Sequence, residues 1–202
     1  MDLNKVIQRA RALLVTPRTE WPVIAMEPAT VQGLYRDYLM ILAAIPPFCQ
    51  FVKLSILGYA WHGFRVYRLG MGTGLTAAMV EYVTSLAAIY LLAIIVEALA
   101  PNFGGESNRL QALKVTGYAY TASWIAGVGV ILPGISVLIV LAGAIYSVYL
   151  FYLGLPSTMK VLPERAAGFT AIVGISGFML GWIIAVLIDL ITGMPWSDGW
   201  ST

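Results

Sequence analysis

The chain has 202 residues, 59% of them hydrophobic and only 11% charged, with a formal net charge of +2 and a mean hydropathy of +0.82. A water-soluble domain carries about 25% charged residues, so most of this surface has lipid as its solvent. Twelve Lys and Arg against ten Asp and Glu, well dispersed, provide no basic groove for nucleic acid. The single cysteine, Cys49, excludes an internal disulfide and a paired-thiol site. The single histidine, His62, excludes a histidine-rich metal cage, so neither metal nor cofactor is expected.

In chain order, residues 1–34 are predicted to form a cytoplasmic amphipathic segment. Leu3, Val6, Ile7, Ala10, Leu13 and Leu14 recur at helical spacing, with Lys5, Gln8, Arg9 and Arg11 on the flanks and the opposite face. Two placements suit such a helix. It lies along an anionic leaflet, with Leu3 and Ile7 in the headgroup boundary and Arg9 and Arg11 on the headgroups, or its apolar face packs on the end of the protein's own bundle. The N-terminus lacks the continuous apolar core of a cleavable signal, so the first methionine is expected to be retained. Thr16-Pro17 breaks this helix and starts a second, with threonine as N-cap and proline at the first helical position. Trp21 is expected to anchor that short helix at the interface, and Pro28 to end it.

Residues 35–195 read as an all-α integral membrane domain of five transmembrane helices. A spanning helix needs about 20 mostly apolar residues, and the spans fall at about 37–59, 75–98, 112–132, 135–155 and 169–192. The stretch from Val115 to Met159 carries no charge. As one helix it would be roughly 65 Å long, so it is divided at Pro133-Gly134, where proline cannot continue the ladder and glycine accepts turn dihedrals. Gly154-Leu155-Pro156 is expected to close the fourth span as a glycine cap followed by proline.

Basic residues in the short loops set the orientation. Lys5, Arg9, Arg11, Arg18, Arg36, Arg109, Lys114, Lys160 and Arg165 fall on one side, against Arg65 and Arg68 on the other. The N-terminus is therefore expected in the cytoplasm and the outer tail, 196–202, outside, with Trp196 and Trp200 in the headgroup zone.

Charges inside spans are costly and count as functional candidates. Lys53, Glu81 and Asp189 are expected at similar depths in the outer leaflet, either as a buried ion pair fixing helix register, as a proton- or cation-handling site, or as chains reaching to the headgroups. Glu97, at the inner end of the second span, is expected near Arg109 or Lys114. Pro46 and Pro47 predict a kink near the middle of the first span. Gly174, Gly177 and Gly181 predict close helix approach, within the bundle or between copies. The spaced glycines from Gly70 to Gly74 follow no strand, which argues against a nucleotide-phosphate loop. In the run Tyr146 to Tyr152, Tyr152 reads as an interfacial anchor, Tyr149 and Tyr146 as packing residues whose hydroxyls need partners, with Tyr146 the candidate for a polar role.

The pattern Pro17, Trp21, Ile24, Glu27-Pro28, the Gly117-Tyr118-Ala119-Tyr120 opening of the third span and the Tyr146 to Leu155 end of the fourth resemble the Yip family, named from interaction with Ypt/Rab GTPases, in its prokaryotic branch. The resemblance implies a five-helix membrane domain without an established catalytic activity. The chain lacks the longer N-terminal region and the Asp-Leu-Tyr-Gly-Pro type motif of eukaryotic relatives, and Tyr35-Arg36-Asp37-Tyr38 does not replace it, so Rab binding is not carried over. The expectation is a non-enzymatic protein of a prokaryotic plasma (inner) membrane. It would act as a scaffold, partner-binding or bilayer-organising module whose partners are the lipid bilayer, a protein at the cytoplasmic face or a second copy of itself. The alternative is a small transporter or channel built on Lys53, Glu81 and Asp189.

Overall fold

A computed structural model describes residues 3–61 and 65–192, with backbone alone at 59–61, 65–67, 184–185 and 187–192. The outer tail, His62 and the side chain of Asp189 lie outside the described residues.

The N-terminal segment forms two helices, α1 (Leu3–Val15) and α2 (Pro17–Met26), joined at Thr16. Pro17 opens α2 because the first turn of a helix needs no N–H partner. The Thr16 hydroxyl does not cap α2 but donates to the Ala12 carbonyl at the end of α1. Val6, Ala10 and Leu13 are buried against the bundle, whereas Leu3 and Ile7 remain 55% and 63% exposed. The apolar stripe is thus divided, half packing inward and half facing out.

Four helices are long and apolar enough to span a bilayer: α3 (Val31–Leu57), α4 (Met71–Phe103), α7 (Ser136–Thr158) and the described apolar part, Pro163–Ile183, of α8 (Pro163–Thr192). Between α3 and α4 the chain makes a short antiparallel hairpin, β1 (Tyr59–Trp61) and β2 (Arg65–Tyr67), in the register Tyr59 opposite Tyr67. The helix α3 is interrupted at Ala44, two residues before Pro46-Pro47, and contains π-helical turns at Tyr35–Leu39 and Val52–Leu57.

The third predicted span is not one helix. It consists of α5 (Arg109–Ala119), α6 (Thr121–Ala126) and a 3-10 segment, Gly127–Ile131. Gly117 and Gly127 pack closely on α3. A Cβ on Gly117 would sit 2.6 Å from the Leu39 side chain, and one on Gly127 would sit 2.8 Å from Pro46, so both glycines admit the irregular helix α3 at van der Waals contact.

These pieces nevertheless keep one antiparallel register along α7. A Cβ on Gly154 would meet Val115, Ser147 bonds Ser123, a Cβ on Gly143 would meet Ala126, and one on Gly129 would meet Ile139. The turn lies at Pro133-Gly134, where Gly134 takes φ +84°. Beyond it, Gly154 does not cap α7. The helix runs on to Thr158 with Pro156 in its last turn, and Lys160 takes the left-handed conformation, φ 55°, that ends it.

The core is concentrated at one end of the bundle. Leu13, Trp21, Ile24, Leu39, Val96, Leu113, Leu150, Leu155 and Phe169 are buried there, at the end where α1 and α2 dock. Toward the other end, Met71, Leu75, Val137, Leu138, Ile175, Phe178 and Trp182 point outward. Such a surface suits hydrocarbon and not water.

Candidate functional site

A crevice of about 950 Å³ opens between α1, the C-terminal end of α2 and the beginning of α3, with α5 as its floor. Arg9 on α1 donates to Glu20 on α2 and to Glu27 just beyond it, so one guanidinium, with its fork of donors, ties both carboxylates. Its charged end lies 6.0 Å from the centre of the Tyr118 ring. Lys114 and Tyr118 are four residues apart on α5 and share a face. The Lys114 ammonium, 2% exposed, donates to the carbonyls of Ile24 (2.8 Å) and Glu27 (2.6 Å), the last carbonyls of α2 and its cap. Helix C-termini leave such carbonyls without intrahelical partners and carry partial negative charge, so a buried cation there is satisfied.

Neighbouring contacts fix the hairpin further. Gln111 donates to the Ala25 carbonyl at 2.9 Å, and the Tyr146 hydroxyl donates to the Leu14 carbonyl at 2.8 Å. Tyr38, on the first π-helical turn of α3, packs with its ring tilted 56° to that of Tyr118 at 4.6 Å between centres, and shares a 2.9 Å hydrogen bond with Thr121. A π-helical turn shifts side-chain directions by one position and is frequent at functional sites.

Trp21 differs from its expected place. It is 1% exposed and lies in the core instead of at the headgroups. The cause is Gly154, where a Cβ would come within 2.8 Å of the indole, so the missing side chain makes a slot for the ring beside Val115. Arg9 is spent on Glu20 and Glu27, while Arg11 is exposed. Tyr152 is 38% exposed on the outer face of α7.

Lys53 and Glu81 are not brought together: among the described residues no ion pair or hydrogen bond joins them. Ser55, two residues from Lys53, packs where a Gly74 side chain would be, and Glu81 lies seven residues beyond Gly74, about 10 Å along α4. Glu97 meets Arg109, which also reaches the Tyr90 hydroxyl at 3.4 Å. Pro46 packs on Gly127, and Pro47 is buried. Of the three glycines expected to pack, Gly174, Gly177 and Gly181, only Gly177 faces a neighbour, with a would-be Cβ 3.6 Å from Leu92. Gly174 and Gly181 border open space within the chain.

Sequence reasoning did not select Glu20, Glu27, Lys114 or Tyr38 as site residues. Lys114 was counted as a loop charge, although it directly precedes the charge-free run and stands one helical turn from Tyr118. That position was the available signal.

A family model described as the Yip1 domain matches residues 11–185. Inner membrane protein YohC of Escherichia coli strain K12 is 24% identical over 186 residues, covering 91% of this chain and 93% of YohC. YohC of Escherichia coli O6:H1 strain CFT073 is similar to the same extent. No solved structure matches the chain. The family match runs from within α1 through the crevice floor and every membrane helix into α8, and the chain belongs to the Yip1 domain family.

Proposed function

We propose that the chain is a non-enzymatic inner-membrane protein that crosses the bilayer five times, with a cytoplasmic N-terminus and an outer C-terminus. Its end bearing α1 and α2 serves as a scaffold, partner-binding or bilayer-organising face. The observation that carries this reading is the docking of the N-terminal hairpin through Lys114, Arg9, Gln111 and Tyr146. That docking turns a basic amphipathic segment into a preformed surface with the crevice at its centre.

The contact between the chain before α5 and the chain after α7 supports five crossings. Lys160, just after α7, pairs with Glu106, just before α5, at 2.8 Å, and the Glu106 N–H donates to the Met159 carbonyl. The two positions then lie on one side, so an even number of crossings separates them. Since α7 supplies one, the segmented stretch Arg109 to Ile131 supplies the other. Its 23 residues are roughly 35 Å long at helical rise, enough for a hydrocarbon core of about 30 Å. The excess of Lys and Arg in the segments at this end favours the cytoplasm. Family membership and the inner-membrane name of YohC support the location and the non-enzymatic reading. Partners at this face are a protein or a second copy of the chain.

Reconstitution into liposomes tests the reading. The expected result is no proton, cation or small-solute flux above protein-free vesicles. A flux that disappears in Glu81→Gln overturns the scaffold in favour of a transporter.

A further inference from the structure

We propose that the crevice binds the headgroup of a phospholipid carrying a primary ammonium, drawn from the leaflet that surrounds α1 and α2. Its volume, about 950 Å³, is at the upper end of small-molecule sites. Its charge is mixed. Arg9 gives one N–H each to Glu20 and Glu27, and each carboxylate keeps an oxygen that Arg9 does not use.

Donors are also left over. Lys114 has three N–H groups and spends two on carbonyls. Tyr118, nine-tenths buried, lines the crevice, and its hydroxyl makes no hydrogen bond among the described residues. Among the described residues, Lys5 lines the same space without an ion pair, and Arg36 pairs with only the neighbouring Asp37, at 3.4 Å. A phosphate can accept from Lys5 and Arg36, and an ammonium with three N–H donors can donate to the free oxygens of Glu27 and Asp37, which line the same crevice. A polyanion would meet three carboxylates, and a bare cation four basic groups.

The position indicates a lipid over a dissolved solute. One wall of the crevice is the first two turns of a membrane helix, from Gly33 to Tyr38. The neighbouring Met40 is exposed on that helix and offers an apolar track for acyl chains. The proposal rests on the membrane reading above only in placing this end at a headgroup layer. It stands in either leaflet, so a failure of the proposed orientation leaves it intact.

Purified full-length protein in micelles containing equal amounts of ethanolamine and choline phospholipids, examined by native mass spectrometry, provides the test. The ethanolamine lipid is expected to be retained at least ten-fold over the choline lipid, whose trimethylated ammonium donates no hydrogen bond. Lys5→Glu with Arg36→Glu should lower the retention of both lipids at least ten-fold, and Asp37→Asn should abolish the preference for the ethanolamine lipid. Arg11→Glu with Arg18→Glu, a charge change equal to that of the first pair at exposed sites outside the crevice, should preserve both retention and preference. Equal retention of the two lipids by the parent, or equal loss of retention in both double variants, overturns the site. Binding of water-soluble glycerophosphoethanolamine as tight as that of the lipid overturns the lipid as its source.

Discussion

Lys114 shows how much a single side chain carries in this protein. It is a buried cation whose ammonium closes the end of α2, and its removal frees carbonyls that nothing else reaches. Hydrogen bonds to a charged group contribute about 1.5–3 kcal/mol each, so Lys114→Met, which keeps most of the side chain's length, is expected to cost at least about 3 kcal/mol. Loosening should concentrate in the hairpin. Limited trypsin digestion of the variant should cut at Arg9, Arg11 and Arg18 several-fold faster than in the parent, and equal cleavage rates would show that Lys114 does not hold the hairpin. The role was hidden in the sequence because a lysine at the start of an apolar run reads equally well as a loop charge. Trp21 was hidden for a related reason. Its chemistry suits an interface, and only the slot above Gly154, 133 residues later, draws it into the core.

At the scale of elements, periodicity and punctuation went far. The break at Thr16-Pro17, the turn at Pro133-Gly134 and the four long apolar helices all lie where local sequence places them. The division of the third stretch into α5, α6 and a 3-10 segment was not readable, and neither was the close approach of Gly117 to Leu39 and of Gly127 to Pro46, contacts no local pattern encodes. The register against α7 is testable through the Ser123 and Ser147 hydroxyls, 2.8 Å apart. With Cys49→Ala as background, Ser123→Cys combined with Ser147→Cys should form an intramolecular crosslink under mild oxidation. Ser123→Cys combined with Val140→Cys, about 10 Å further along α7, should not. A crosslink of equal yield in both pairs would contradict the register.

The whole molecule is asymmetric, densely cored where α1 and α2 dock and thin at the end bearing β1 and β2. Composition announced a membrane protein, and the loop charges suggested which end faces inward. The crevice was not legible, because its groups come from α1, α2, α3 and α5 and meet only after the hairpin folds onto the bundle. The central claim is the paired crossing of the Arg109 to Ile131 stretch and α7, which places Glu106 and Lys160 on the cytoplasmic side and Gly134 outside. Labelling single-cysteine variants Glu106→Cys, Gly134→Cys and Lys160→Cys in intact cells with a membrane-impermeant maleimide measures it, again with Cys49→Ala as background. Gly134→Cys should react before permeabilisation, and the other two only after it. Labelling of Gly134→Cys from the same side as Glu106→Cys would contradict the five-crossing fold.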